Sequence, residues 1–92
     1  MSIEDWRSEI DAIDSELLGL LNQRASLAVK VGQSKQLAGF ALSDPLREQE
    51  VIERACRANR GPLDEGAIVR LFRCIIRESR RVEAGAMEKK SS

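Results

Sequence analysis

The sequence predicts an all-α protein with three helices per chain, one long and two shorter, that completes its core by forming a homodimeric helical bundle. Apolar residues recur at helical spacing, and no segment has the alternation that is typical of a β-strand. The two prolines, Pro45 and Pro62, lie close to the two interruptions of the helical pattern. The length of 92 residues fits a single domain, residues 1–92, with a core at about residues 5–85 and a frayed tail at residues 86–92.

The first helix is predicted from about residue 4 to 37, because two positions of a heptad pattern are apolar along it. These residues, the apolar seam, are Ile3, Ile10, Leu17 and Val31 in one series and Trp6, Ile13, Leu20 and Leu27 in the other. Such a helix is roughly 50 Å long, whereas a compact chain of this size is only about 30 Å across. The two shorter helices cannot cover the seam, so we expect a second copy to close it. The alternative is a shorter helix that breaks near Gly19.

The two shorter helices follow predicted breaks at residues 38–41 and 59–62. Asp44 and Pro45 form a favourable helix start, because aspartate can cap a helix and proline suits the first turn. This second helix is predicted to end near residue 59, and Asp64 can cap the third. The inward apolar residues of the third helix are Ile68, Leu71, Phe72, Ile75, Ile76 and Val82.

The composition excludes several classes of protein. With 42% hydrophobic and 33% charged residues, the chain is too apolar for a disordered tail and too charged for a membrane protein. The acidic N-terminal segment has no signal-peptide pattern, so we expect a cytoplasmic protein. The net charge of zero argues against nucleic-acid binding, and the absence of histidine excludes a His-based triad or zinc site. Cys56 and Cys74 are interpreted as reduced, buried thiols.

Polar residues interrupt the apolar faces of all three predicted helices. Arg24 occupies a heptad position of the seam, and Lys35 lies about three turns further along nearly the same face. The other inward polar residues are Arg47 and Glu48 on the second helix and Ser79 and Glu83 on the third. Because buried charges need partners, the pattern indicates a pocket between helices whose cations bind a small ligand with carboxylates. The alternative is that Arg24 pairs with Glu48 or Glu83 in a structural salt bridge.

Arg7 cannot join this pocket within one chain. Along a helix it lies ~25 Å from Arg24 and is rotated by ~100° around the axis. In a dimer it can reach the pocket of the partner, and the alternative is an exposed arginine. Most of the remaining arginines are interpreted as a solvated face; they are Arg54, Arg57, Arg60, Arg70, Arg73, Arg77, Arg80 and Arg81.

Four ordered motifs resemble those of the all-helical class of chorismate mutases, over about residues 5–85. The motifs are R-x2-I-D-x-I-D-x-x-L-L-x-L-L-x-x-R from Arg7 to Arg24, A-x-x-V-G-x-x-K ending at Lys35, D-P-x-R-E from Asp44 to Glu48, and L-F-x-x-I-I-x-x-S ending at Ser79. The resemblance implies an intertwined homodimer with two active sites that rearranges chorismate to prephenate, on the route to phenylalanine and tyrosine. It implies no metal and no cofactor, since a C–O bond breaks and a C–C bond forms within one molecule.

The resemblance also implies roles for the cationic positions. Arg7 from the partner chain and Arg24 are expected to hold the substrate carboxylates. Lys35 is expected to contact a carboxylate and the ether oxygen, and Ser79 to lie near the ring carboxylate. Cations in a dry helical pocket suit this reaction, because negative charge grows on the ether oxygen in the transition state.

The acidic positions receive roles from the same resemblance. Glu48 and the Asp44 segment are expected to meet the ring hydroxyl, and Arg47 to order that edge of the pocket. Glu83 stands where bacterial members often have a glutamine that faces the ether oxygen, and some fungal members are similar in having glutamate there. An ionised carboxylate only accepts hydrogen bonds, so Glu83 can assist the ether oxygen only as the neutral acid.

Three other functions stay open at this point. Lyases that release pyruvate from isochorismate are similar in fold and in their cationic pocket. A non-catalytic helical dimer would use the inward charges only to set its register. A regulatory subunit would dock on another enzyme of the shikimate pathway.

Overall fold

Three helices and their connections make up the computed structural model, which describes the backbone of residues 2–91 and the side chains of residues 2–86. The helices are α1 (Ile3–Leu37), α2 (Pro45–Ala58) and α3 (Glu65–Ser91). Within the described residues there is no strand. The predicted all-α class and the three-helix order are confirmed.

Local sequence determines where α1 begins and ends. Ser2 caps its N-terminus: its hydroxyl accepts from the Asp5 amide, and the Asp5 carboxylate accepts from the Ser2 amide. The helix ends at Leu37, and Gly39 follows with a φ of 81°, a left-handed conformation that glycine adopts without steric cost. The helix runs unbroken past Gly19, so the alternative of a break there is wrong.

The starts of α2 and α3 are both capped by aspartate. The Asp44 side chain accepts from the Arg47 amide at 3.1 Å, and Pro45 is the first residue of α2. The Asp64 side chain accepts from the Ala67 amide at 2.8 Å at the start of α3. The bounds of α3 extend to Ser91, whereas we expected fraying from residue 86; the side chains beyond residue 86 lie outside the described part.

Helix α3 packs against both other helices, and the chain is strongly elongated. Its extents are 55 × 28 × 14 Å, and its radius of gyration is 16.4 Å against about 12 Å for a compact chain of this length. Among the described side chains, Ile68 is the only large apolar one that is buried. All eight residues of the apolar seam are exposed, with 49–61% of their surface accessible.

The two cysteines differ in their surroundings. Both are free thiols, but Cys56 is only half-buried and Cys74 is exposed, so the expectation that both are buried is wrong. Desolvation, with the nearby carboxylate of Glu65 as a second cause, raises the pKa of the Cys56 thiol above its usual value. Within residues 2–91, no helix combines the length and the apolar character that a membrane crossing requires.

Candidate active site

A cavity of about 260 Å³ lies where α1, the segment before α2, α2 and α3 meet. It is lined by seven of the eight residues that the sequence analysis selected, and these are Arg24, Lys35, Asp44, Arg47, Glu48, Ser79 and Glu83. Leu27 and Val31 of the apolar seam also line it. The cavity therefore borders the exposed face of α1.

Arg24 has a neutral partner in this cavity. Its Nη1 donates to the Ser79 hydroxyl at 2.9 Å, and Ser79 is buried with 6% of its surface accessible. None of the ion pairs among the described side chains involves Arg24, so the predicted alternative of a salt bridge to Glu48 or Glu83 is not found there. A half-buried guanidinium without a carboxylate partner is suited to bind an anionic ligand.

Lys35 and Asp44 connect the end of α1 to the start of α2. Lys35 Nζ lies 3.5 Å from Asp44 Oδ2, and 26% of the lysine side chain is exposed. The hydrogen bond from the Arg47 amide is the main cause that holds the pKa of Asp44 below its usual value; desolvation opposes it, and the positive charge of Lys35 lowers the pKa further. The ionised aspartate therefore caps α2 and fixes the ammonium of Lys35 at the cavity.

Glu48 forms an ion pair that the sequence analysis missed. Its Oε1 lies 2.5 Å from Nη2 of Arg80, and both side chains are about one-third exposed. Arg80 also lines the cavity, so it is an exception to the interpretation of most of these arginines as a solvated face. The signal was its spacing, since Ile76, Arg80 and Glu83 follow one another at four and three residues along one helix face.

The other predicted residues lie at the edge of the cavity or away from it. Arg47 is half-exposed and pairs with Glu50 of its own helix at 2.6 Å, so it stands at the rim. Glu83 is half-buried on α3. Arg7 is 71% exposed and does not line this cavity within its own chain, as its distance from Arg24 along α1 predicts.

The charges of the cavity favour an anionic ligand. Its four cations, on Arg24, Lys35, Arg47 and Arg80, face three carboxyl groups, on Asp44, Glu48 and Glu83. With all three carboxyls ionised, the net charge is one positive. Within the part of the chain that the structure describes, no three side chains of the metal-binding types converge on a point. The arrangement can hold carboxylates by ionic hydrogen bonds and offer acceptors to a hydroxyl group.

A larger groove of about 780 Å³ lies between α2 and α3. It shares Glu48, Ile76 and Arg80 with the cavity, but no residue of α1 lines it. It therefore lacks both Arg24 and Lys35. The smaller cavity, where all three helices contribute charged or polar groups, is the candidate active site.

Comparisons with known proteins identify the class of this fold. A family model described as chorismate mutase type II matches residues 6–84. The chain is 38% identical over 91 residues to the 4-amino-4-deoxychorismate mutase of Streptomyces venezuelae, an alignment that covers 97% of this chain and 87% of the relative. The chorismate mutase of Helicobacter pylori, solved in complex with prephenate, superposes with a TM-score of 0.86 at 30% identity, covering 94% of this chain and 93% of that one.

A bifunctional relative matches a shorter share of its own length. The chain is 40% identical over 78 residues to the bifunctional chorismate mutase/prephenate dehydratase of Aquifex aeolicus. This match covers 80% of the chain but only 22% of the relative. The chain therefore spans about a fifth of that bifunctional protein.

Proposed function

The chain belongs to the chorismate mutase type II family, and from this premise we propose that it is an isomerase that rearranges chorismate to prephenate. The observation that carries the proposal is the cavity that Arg24 and Lys35 both line, where Arg24 bonds to the neutral Ser79 hydroxyl and to no carboxylate among the described side chains. The substrate is a dianion with an ether oxygen that gains negative charge in the transition state. A pocket with excess positive charge is complementary to both features.

We propose that the active unit is a homodimer closed along the apolar seam. A compact monomer of 10.3 kDa exposes roughly 5,400 Å², whereas this chain exposes 7349 Å². The excess of about 2,000 Å² is in the range that an obligate interface buries. Leu27 and Val31 belong both to the seam and to the cavity lining, so a second copy on the seam would also shield the site from water.

Arg24, Lys35 and Arg7 of a second copy are proposed to hold the two substrate carboxylates. Arg24 is fixed by its hydrogen bond to Ser79, and the ring carboxylate is proposed to bind near both groups. Lys35 is proposed to contact a carboxylate and the ether oxygen, because its ammonium is fixed at the cavity by Asp44. Arg7 would add a fifth cation, which increases the positive excess that the pocket presents to the dianion.

Glu48 is proposed to accept the hydrogen bond of the ring hydroxyl. Asp44 is already engaged by the Arg47 amide and by Lys35, so it is a weaker candidate and is proposed to support that edge. Glu48 pairs with Arg80 and lines the cavity, where its carboxylate can also accept a hydrogen bond from a ligand. Arg47, at the rim, is proposed to order the entrance on this side.

Glu83 is proposed to donate a hydrogen bond to the ether oxygen as the neutral acid. It lies on the α3 face that carries Ser79, and it lines the same cavity as Lys35. A donor at this position would be more useful in the transition state than in the ground state, because the ether oxygen gains charge as the C–O bond breaks.

The test is an assay of the purified chain with chorismate, in which loss of the substrate absorbance and formation of prephenate are followed. We expect conversion without added metal or cofactor. A parallel assay with isochorismate detects the lyase alternative through the release of pyruvate. Conversion of neither substrate would refute the proposed function and favour a non-catalytic helical dimer or a docking subunit.

A further inference from the structure

Arg80, which pairs with Glu48, is the charged residue of the cavity to which no role has been given above. The ion pair joins α3 to α2, with Nη2 of Arg80 2.5 Å from Oε1 of Glu48. Both groups are only one-third exposed, and both line the cavity. The charge of Arg80 also adds to the lowered pKa of Asp44, whose main cause is the Arg47 amide, so Arg80 acts on both carboxylates at this end of the cavity.

One hydrogen-bond donor of Arg80 is left without a partner among the described residues. Its Nε is buried without a hydrogen-bond partner among the described residues, and it is the one side-chain atom found in that state there. A buried donor without a partner is unfavourable, and such groups in native proteins call for an explanation beyond stability. A surface ion pair that only fastens two helices would contribute little and would not require this burial.

We propose that Arg80 is a specificity-determining residue that makes the Glu48 end of the pocket select a neutral hydroxyl group over an amine on the substrate ring. This inference rests on the proposed function. A carboxylate without a cationic partner attracts an ammonium group strongly, whereas one that is already paired with a guanidinium is a nearly neutral acceptor. The paired Glu48 accepts a hydroxyl proton readily and offers an ammonium group no net attraction.

The relevant competing substrate follows from the relatives. A protein 38% identical to this chain is a 4-amino-4-deoxychorismate mutase, whose substrate, by its name, carries an amino group in place of a hydroxyl. An alkyl amine is protonated at neutral pH. Bound at Glu48, that ammonium would lie within about 6 Å of the Arg80 guanidinium, and repulsion at this distance corresponds to about 3-fold to 100-fold in affinity, depending on the local dielectric.

The experiment measures kcat/KM for chorismate and for 4-amino-4-deoxychorismate at pH 7 and compares the ratio between variants. Arg80→Gln removes the charge, and Arg80→Met is a second neutral variant that keeps the unbranched stem. We expect both to lower the ratio of chorismate to amine activity about tenfold. Arg80→Lys keeps the charge and should retain most of the selectivity.

Arg81→Gln is the matched control. Arg81 is the neighbouring arginine on α3, 75% exposed and paired with Glu78 of its own helix, so its loss should leave the ratio unchanged. Helical content by circular dichroism and the dimer mass establish that each variant is folded. A ratio that moves less than twofold in both neutral variants, with a wild type active on chorismate, refutes the selectivity role alone. A wild type inactive on both substrates refutes the proposed function and this inference with it.

Discussion

Arg7 provides the sharpest test of the proposed dimer, because its position on α1 is too far from the cavity of its own chain for its side chain to reach. Arg7 and Arg24 are separated by ~25 Å along one straight helix, and an extended arginine side chain spans only about 7 Å. Arg7 can therefore contribute to such a site only from a second copy. We expect Arg7→Ala and Arg24→Ala each to lose ~10²–10³-fold in activity while the helical fold is kept.

Mixing the two inactive variants restores activity if Arg7 acts in trans. After the two chains are unfolded together and refolded in equal amounts, about half of the dimers are heterodimers. Each heterodimer has one site with both arginines intact and one with neither, so the mixture should reach about a quarter of wild-type activity. If Arg7 acted within its own chain, no site in the mixture would be complete, and activity would stay at the level of the single variants.

A reciprocal mixture is the control. Wild-type chains are refolded with the Arg7→Ala/Arg24→Ala double variant in equal amounts. In trans, every heterodimer is inactive, and only the wild-type dimers contribute, about a quarter of full activity. In cis, half of all the sites would work. Full recovery of heterodimers by native mass spectrometry, combined with an inactive first mixture, would refute the assignment of Arg7 to the partner site.

Three further predictions concern single residues of the cavity. Lys35→Ala should lower kcat ~10²–10³-fold and change KM less, since the ether oxygen gains its charge only towards the transition state; unchanged kinetics would contradict this role. Glu83→Gln supplies a permanent donor of similar shape, so kcat at saturating chorismate should stay substantial at pH 7–8; an inactive Gln variant with its fold intact would remove Glu83 from the mechanism. Asp44 has a lowered pKa in the folded state, so its stabilising effect is present above its unfolded value of 3.8 and is lost as the pH falls through the folded value. The Tm difference between wild type and Asp44→Asn should therefore be clear at pH 6 and narrow in acid, and a constant difference would contradict the argument.

The fold was predictable because the information that specifies it is local. The cap at Asp44, the glycine after α1 and the apolar spacing of each helix act within a few residues, and they determine the three helices. The length of α1 followed from the same pattern. The elongated shape was also predictable, because a helix of 35 residues is longer than a compact chain of this size is wide.

The lining of the cavity was predictable for the same reason, and the partners within it were not. Helical register gives the face on which Arg24 and Ser79 lie, but it does not say which side chain on a neighbouring helix each will meet. By spacing alone, Arg24 could meet any of several side chains. In the structure its Nη1 donates to the Ser79 hydroxyl. That result matters for function, because a neutral partner leaves the positive charge of the guanidinium for the ligand.

The surroundings of Arg80 depend on a residue of another helix. Arg80 stands among several arginines on α3, and its spacing from Ile76 and Glu83 gives its helix face but not the side chain that it meets. Arg80 and Arg81 differ because α2 packs against one side of α3 and brings Glu48 to Arg80, while Arg81 pairs with Glu78 of its own helix. A charge on a helix surface thus becomes part of a binding site only through the neighbour that it meets. The same ion pair determines which substrate group Glu48 binds. A carboxylate that is paired with a guanidinium can accept a hydrogen bond from a neutral hydroxyl group, but it does not attract a cationic group strongly.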